Sequence, residues 1–235
     1  MAVQTVRLTL EGVRASQGSW SITAQGTFGE GLHLVSGDVG SGKSTLGLLM
    51  AGLSAPSSGQ VTRDGISSVM VSFQFPEYHI TGTSVREECE SWGLDPATIL
   101  SSVGLEACSE RDPFSLSRGE LKRLHLACVL SRGYDLLILD EPFSSLDVVE
   151  KHRICNILSH RSRGITILFS HEQTIFPRVD HIWEIREGRL RYCGSPPESF
   201  SNWQHVPPII QRLVDAGKTP ANISADDLKE AAWRT

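Results

Sequence analysis

The sequence predicts an α/β protein: a parallel-stranded core with a mixed β start, a helical insertion and a small helical tail. Three observations predict it. The runs LLIL at 136–139 and ITILF at 165–169 are short and almost wholly apolar, as strands covered on both faces require. Residues 148 to about 162 lie between them with helical spacing, so strand, helix and strand alternate. A third apolar run, LHLV at 32–35, leads straight into Gly37 and then into another helical stretch at 45–53.

The chain opens as β structure. Val6, Leu8 and Leu10 alternate with polar residues, Gly12 and Gly18 punctuate, and Trp20, Ile22, Ala24 and Gly26 alternate again. Pro56 and Gly59 close the first helix, and 69–73 reads as another short strand. From 77 to about 132 the character changes to helix and loop. Ser84 with Glu87, and Ser117 with Glu120, are spaced for capping boxes. Leu121, Leu124 and Cys128 give the second of these helices an apolar stripe. Ile182, Trp183 and Ile185 before Gly188 read as a final hairpin. Beyond Pro196 come an amphipathic segment (Ile209, Ile210, Leu213, Val214) and a last short helix from about Ser224.

The 235 residues suffice for one large domain, or for one domain with a small appendage. A net charge of −5 argues against a protein whose main task is coating nucleic acid, a local basic patch aside, and no nucleic-acid partner is expected. No apolar run approaches the roughly 20 residues of a membrane-spanning helix. Residues 1–10, with Arg7 in an alternating pattern, carry no apolar signal core, so export is not expected. The cysteines at 89, 108, 128, 155 and 193 lack zinc-knuckle spacing and read as reduced, mostly buried thiols. The histidines show no HExxH or clustered spacing, so a metal site built from side chains alone is not expected.

The chemistry concentrates around 37–44. Gly37, Asp38, Val39, Gly40, Ser41, Gly42, Lys43 and Ser44 fit G-x-x-x-x-G-K-[ST] between a strand and a helix. The glycines let backbone N–H groups converge on phosphates, and the helix that follows points its positive end there. Lys43 is suited to neutralise β- and γ-phosphate oxygens and the Ser44 hydroxyl to ligate Mg²⁺. Nucleotide binding follows. The apolar strand at 136–139 ends in Asp140 and Glu141, and carboxylates at the end of a parallel strand beside a phosphate loop lie in the crevice where such sheets bind ligands. Asp140 would hold the Mg²⁺ shell through water. Glu141 would act as general base or orient the attacking water.

Further segments follow in a definite order. Gln74 stands in FQFPE at 73–77, LSRGE occupies 116–120, SSLD at 144–147 follows the acids, and Ser170, His171 and Glu172 end the next strand. Each alone is ordinary: a capping box, a strand-end histidine. Taken in order, they resemble the ATP-binding-cassette (ABC) ATPases over about residues 5–190. The resemblance implies a P-loop NTPase (RecA-like) core with an N-terminal antiparallel β subdomain, forming an ATPase domain at 1–190. A helical subdomain is inserted at about 76–133, and a short helical extension follows at 191–235. It implies a Walker A loop from Gly37 to Thr45 and a Q-loop at Gln74, which would touch Mg²⁺ or water. A signature loop at 116–120 and a Walker B strand ending at Asp140 follow. Glu141 would be the catalytic carboxylate, 144–147 the D-loop, and His171 a switch that hydrogen-bonds the γ-phosphate.

The same resemblance implies a head-to-tail dimer, of like or unlike subunits, in which Ser117 and Gly119 of one face the ATP of the other. Transmembrane transporter subunits would dock near 77–92, placing the chain at the cytoplasmic face of the membrane. FQFPE and the Pro207-Pro208 tail resemble more narrowly the energy-coupling-factor (ECF) ATPases, which power uptake of vitamins or of cobalt and nickel ions. A soluble ABC protein acting as an assembly scaffold is the alternative. A P-loop kinase would leave 116–120 and His171 without a role.

Two positions depart from the family pattern. Arg118 stands where ABC signatures usually have glycine, and Glu120 where glutamine is frequent. Arg118 is expected to weaken ATP-driven closure without abolishing it, by pairing with phosphate or a partner acid or by obstructing close approach. Residues 14–17, where an adenine-stacking aromatic is often found, contain none. Trp20 is the nearest candidate, and a core position on its strand is the preferred reading.

Overall fold

The apolar runs form the middle of a twisted sheet whose strand ends gather the polar residues. The computed structural model describes residues 5–18, 20–161 and 163–233. It begins with β1 (Arg7–Gln17), β2 (Trp20–Phe28), β3 (Gly31–Ser36), α1 (Lys43–Ala51), β4 (Ser58–Asp64) and β5 (Val69–Ser72). Three helices follow, α2 (Val85–Ser91), α3 (Pro96–Val103) and α4 (Arg118–Leu130). The chain then returns to the sheet through β6 (Leu136–Asp140), α5 (Val148–Ser159), β7 (Ile165–Phe169), β8 (His181–Arg186) and β9 (Arg189–Gly194). It ends in α6 (Pro208–Asp215) and α7 (Ala225–Trp233).

The strand order is β4-β1-β2-β9-β8-β3-β7-β6-β5. β3, β7, β6 and β5 pair in parallel, as do β3 and β8, whereas β1 pairs antiparallel with β2 and β4. Every residue of β6 and β7 is buried, which is why their sequences show no alternation. One face of the sheet packs α1 and the antiparallel strands around Leu46, Leu49, Met50, Phe28 and Phe169. The other packs α5 and the tail, with Phe200, Trp203, Ile210 and Ile223 entering the core. Each such large apolar side chain contributes about 1.5–3 kcal/mol by its burial. The tail is tied further by the Asn222 amide, which exchanges hydrogen bonds with the Val179 backbone, and by an Arg178–Asp227 ion pair at 2.7 Å. The helices α2, α3 and α4 close around a smaller cluster of their own, including Val85, Cys89, Leu100, Leu124 and Cys128.

Several details differ from the sequence expectation. The first helix starts at Lys43 and ends in a left-handed Gly52, earlier at both ends than 45–53. Gly12 lies in a bulge inside β1, not at a turn. The edge strand β4 was not expected, because SGQVTRD is largely exposed and offers no apolar alternation. The helix at 148–162 stops at Ser159; residue 162, and residues 1–4 of the opening segment, lie outside the described residues. No helix among the described residues is long and apolar enough to cross a membrane.

Candidate functional site

The centre of the sheet builds the site. β3 ends at Ser36, the loop 37–42 turns beside it, and Lys43 opens α1, whose first turn carries no acidic residue. The positive end of that helix is therefore left for an anion. Gly42 has a positive φ of 100°, and a Cβ there would meet Trp20 Cζ2 at 2.1 Å. Only glycine lets the loop pass beneath the indole. A cleft of about 380 Å³ opens above, lined by Trp20, Val39, Gly40, Gly42, Lys43, Ser44, Thr45, Gln74, Asp140, Glu141 and His171.

The charged groups are linked in series. Lys43 Nζ donates to the carbonyls of Gly37 at 2.7 Å and Asp38 at 3.0 Å, and stands 3.6 Å from Glu141 Oε1. His171 Nδ1 lies 2.7 Å from the same oxygen, and the His171 N–H reaches Glu141 Oε2 at 3.4 Å. Burial pushes the Asp140 carboxyl above its usual range; the Ser44 hydroxyl hydrogen-bonds it and opposes the shift, while neighbouring Glu141 reinforces it. Glu141 has φ +49°, a conformation that costs a non-glycine residue about 1–3 kcal/mol and tends to persist at functional positions. The Ser41 hydroxyl is buried in the loop with no partner, a donor left over for a ligand.

Ser117 and Gly119 are not brought to this cleft. They line a separate one with Glu120, Arg123, Ser145, Leu146, Asp147 and Glu150. There Ser117 caps α4 in a complete capping box: its hydroxyl accepts from the Glu120 N–H at 3.3 Å, and its own N–H reaches Glu120 Oε2 at 2.8 Å. These bonds from Ser117 hold the Glu120 carboxyl below its usual range. A Cβ on Gly119 would meet the Ser145 carbonyl at 3.0 Å. Arg118 is exposed.

Residues 27–144 match the sequence profile of the ABC transporter family. The chain belongs to that family. This ABC ATPase is 32% identical over 225 residues to the energy-coupling factor transporter ATP-binding protein EcfA2 of Thermotoga maritima, covering 84% of this chain and 85% of that protein. It is 34% identical to EcfA1 of the same organism, over 70% of this chain and 71% of the relative. Its fold matches a bacterial Atm1-family ABC exporter solved with ATP bound, with a TM-score of 0.63 at 20% identity. That match takes in 81% of this chain and spans 39% of the exporter chain.

Sequence reading of this ABC ATPase described Trp20 incompletely and missed Lys122 and His205. Trp20 packs on the core with one edge and lines the cleft with another, so the core reading describes only half of its surroundings. Lys122 of α4 is buried and donates to the Gln74 carbonyl at 2.9 Å; burial lowers its ammonium pKa to about 8. Only the apolar stripe of that helix was legible in the sequence. His205 reaches Asp38 from 167 positions along the chain, a separation no local pattern reveals.

Proposed function

We propose that the chain is the ATP-hydrolysing subunit of an ECF-type importer, coupling ATP binding and hydrolysis in a head-to-tail dimer to uptake of a vitamin or metal ion. The names of its relatives and the FQFPE segment around Gln74 support the ECF assignment. In this reading residues 1–190 are the ATPase domain, 76–133 its helical subdomain and 191–235 an extension. A membrane subunit docks near 77–92 at the cytoplasmic face; the exposed aromatics Phe75 and Tyr78 around the start of that stretch support this.

The observation that carries the proposal is an incomplete half-site. Lys43, Glu141 and His171 converge on the phosphate loop, while Ser117 and Gly119 open onto a different cleft of the same chain. A second subunit, of the same or a different cassette, then has to bring its own signature to this ATP. The loop amides of Gly40 to Thr45 and the Lys43 ammonium grip the β- and γ-phosphates. Glu141, held between Lys43 and His171, positions the attacking water and receives its proton. His171 also bonds the γ-phosphate. Gln74 senses that water and passes the nucleotide state to the helical insertion. Trp20 supplies a face for adenine.

Ser44, Asp140 and Gln74 offer only hard oxygen donors, which suit Mg²⁺ held by one carboxylate plus phosphates. Among the described residues no cluster of three His, Cys, Asp or Glu stands ready as an all-protein cage. When bound, Mg²⁺ neutralises phosphate charge. Closure then follows because ATP binds the dimer better than the separate subunits.

The deciding experiment is Glu141→Gln. Turnover should fall on the order of a hundredfold or more, with a Mg-ATP-dependent dimer accumulating by light scattering. Turnover at the parental rate removes Glu141 from the mechanism, and a protein that stays monomeric with Mg-ATP and its membrane partners present removes the dimer. Co-purification with membrane-embedded subunits supports the importer; soluble partners alone point to the scaffold.

A further inference from the structure

The stretch of tail just before α6 runs back to the mouth of the phosphate loop. Trp203, buried, donates from Nε1 to the hydroxyl of Ser36, the last residue of β3, at 2.7 Å. Two residues on, the backbone N–H of His205 donates to Glu184 Oε1 at 2.9 Å, and its Nδ1 lies 2.6 Å from the same oxygen. The other ring nitrogen, Nε2, is 3.2 Å from Asp38 Oδ1.

Glu184 is 2% exposed and sits on β8 beside Ser36 in parallel register. A buried carboxylate persists only when hydrogen-bonded, and His205 supplies two contacts to one of its oxygens. That anchorage fixes the ring from behind and aims Nε2 at the loop. Asp38 is the second residue of the phosphate loop, and its side chain is 84% exposed, so packing does not set its position. Lys43 holds its main-chain carbonyl and His205 its carboxylate. One imidazole thus bridges two acids, Glu184 and Asp38.

We propose that His205 is a positioning residue of the nucleotide site, tethering the phosphate loop through Asp38 and offsetting that carboxylate's charge beside the triphosphate. The segment 203–205 of the tail thereby braces the phosphate loop at Ser36 and Asp38, beside the cleft and not in its lining. The inference rests on ATP occupying the phosphate loop. A tethered loop binds phosphate without first being ordered, and an unpaired Asp38 repels it. Both effects fall on ATP binding, and neither touches the attacking water.

The test uses the full chain, with Mg-ATP titrated by calorimetry and steady-state ATPase measured. His205→Ala should raise Kd and KM roughly three- to tenfold, the scale of one hydrogen bond, with kcat held within about twofold. Adding Asp38→Asn to that variant removes the bare carboxylate and should recover a large part of the lost affinity. A purely structural role for His205 in seating the tail gives no such recovery. If His205→Ala does not fold, His205→Gln keeps a donor for Glu184, leaves Asp38 unpaired and carries the same comparison. Unchanged KM, or a double variant as impaired as the single, overturns the tether. Lys43→Ala separates the two ideas. Its failure to bind Mg-ATP alongside a normal His205→Ala sinks the tether alone, and its binding as tightly as the parent sinks the nucleotide site itself.

Discussion

The two halves of the proposed nucleotide machinery in this chain are built differently. The phosphate-loop half lies at the centre of the sheet: Lys43, Asp140 and Glu141 are buried, and Lys43, Glu141 and His171 are already joined by short contacts. The signature half is the tip of one helix, with Ser117 and Arg118 exposed and a capping box satisfying its own first turn. In the first half the charged groups hold one another in place, the fixed arrangement in which electrostatic stabilisation is most effective. The second caps itself and is free to meet something outside the chain. The contrast is that of a fixed receptor and a movable plug, and each perturbation below separates the two.

Lys43→Ala should have the largest effect. It strips the cation from the loop and leaves Glu141 with His171 alone, and ATP turnover should drop by on the order of a hundredfold or more in an ATPase assay. Glu141→Gln belongs beside it but leaves nucleotide binding intact, so the pair distinguishes grip from chemistry. Changes at the plug should be smaller. Arg118→Gly restores the residue usual in ABC signatures and should strengthen Mg-ATP-dependent dimerisation and raise ATPase a few-fold; unchanged values for both would make position 118 neutral. Smallest on the isolated subunit is Ser117→Ala, which removes the cap of α4. It should cost about 1 kcal/mol, read as a melting temperature about 2–4 °C lower. If it instead matches Lys43→Ala in its effect on the isolated subunit, the division between receptor and plug fails.

The contrast also explains what could be read from the amino acids. The α/β architecture was legible because β6 and β7 are buried on both faces and write that burial as unbroken apolar runs. Membership of the ABC transporter family was legible because its motifs are local: the loop 37–45 lies between one strand and one helix, and Asp140 and Glu141 end another strand. The edge strand β4 was not, since its side chains are largely exposed and its place is set by pairing with β1. Lys122 and His205 were hidden for a related reason. Each acts through carbonyls or carboxylates distant in sequence, and neither a lysine on an amphipathic helix nor a histidine in a polar tail signals its partner. Trp20 lies between these cases, since alternation placed it on β2 but not which of its edges meets the cleft.

The close approach of Gly119 to the Ser145 carbonyl has a mechanical result. Ser145 has φ +66° and lies four positions beyond Glu141, in the turn that leads from the acid into α5. Within one subunit, then, the helix tip at Gly119 leans directly on the turn that follows Glu141. In the head-to-tail pair proposed above, this contact would tie the two nucleotide sites together through the segment 141–147 of each subunit.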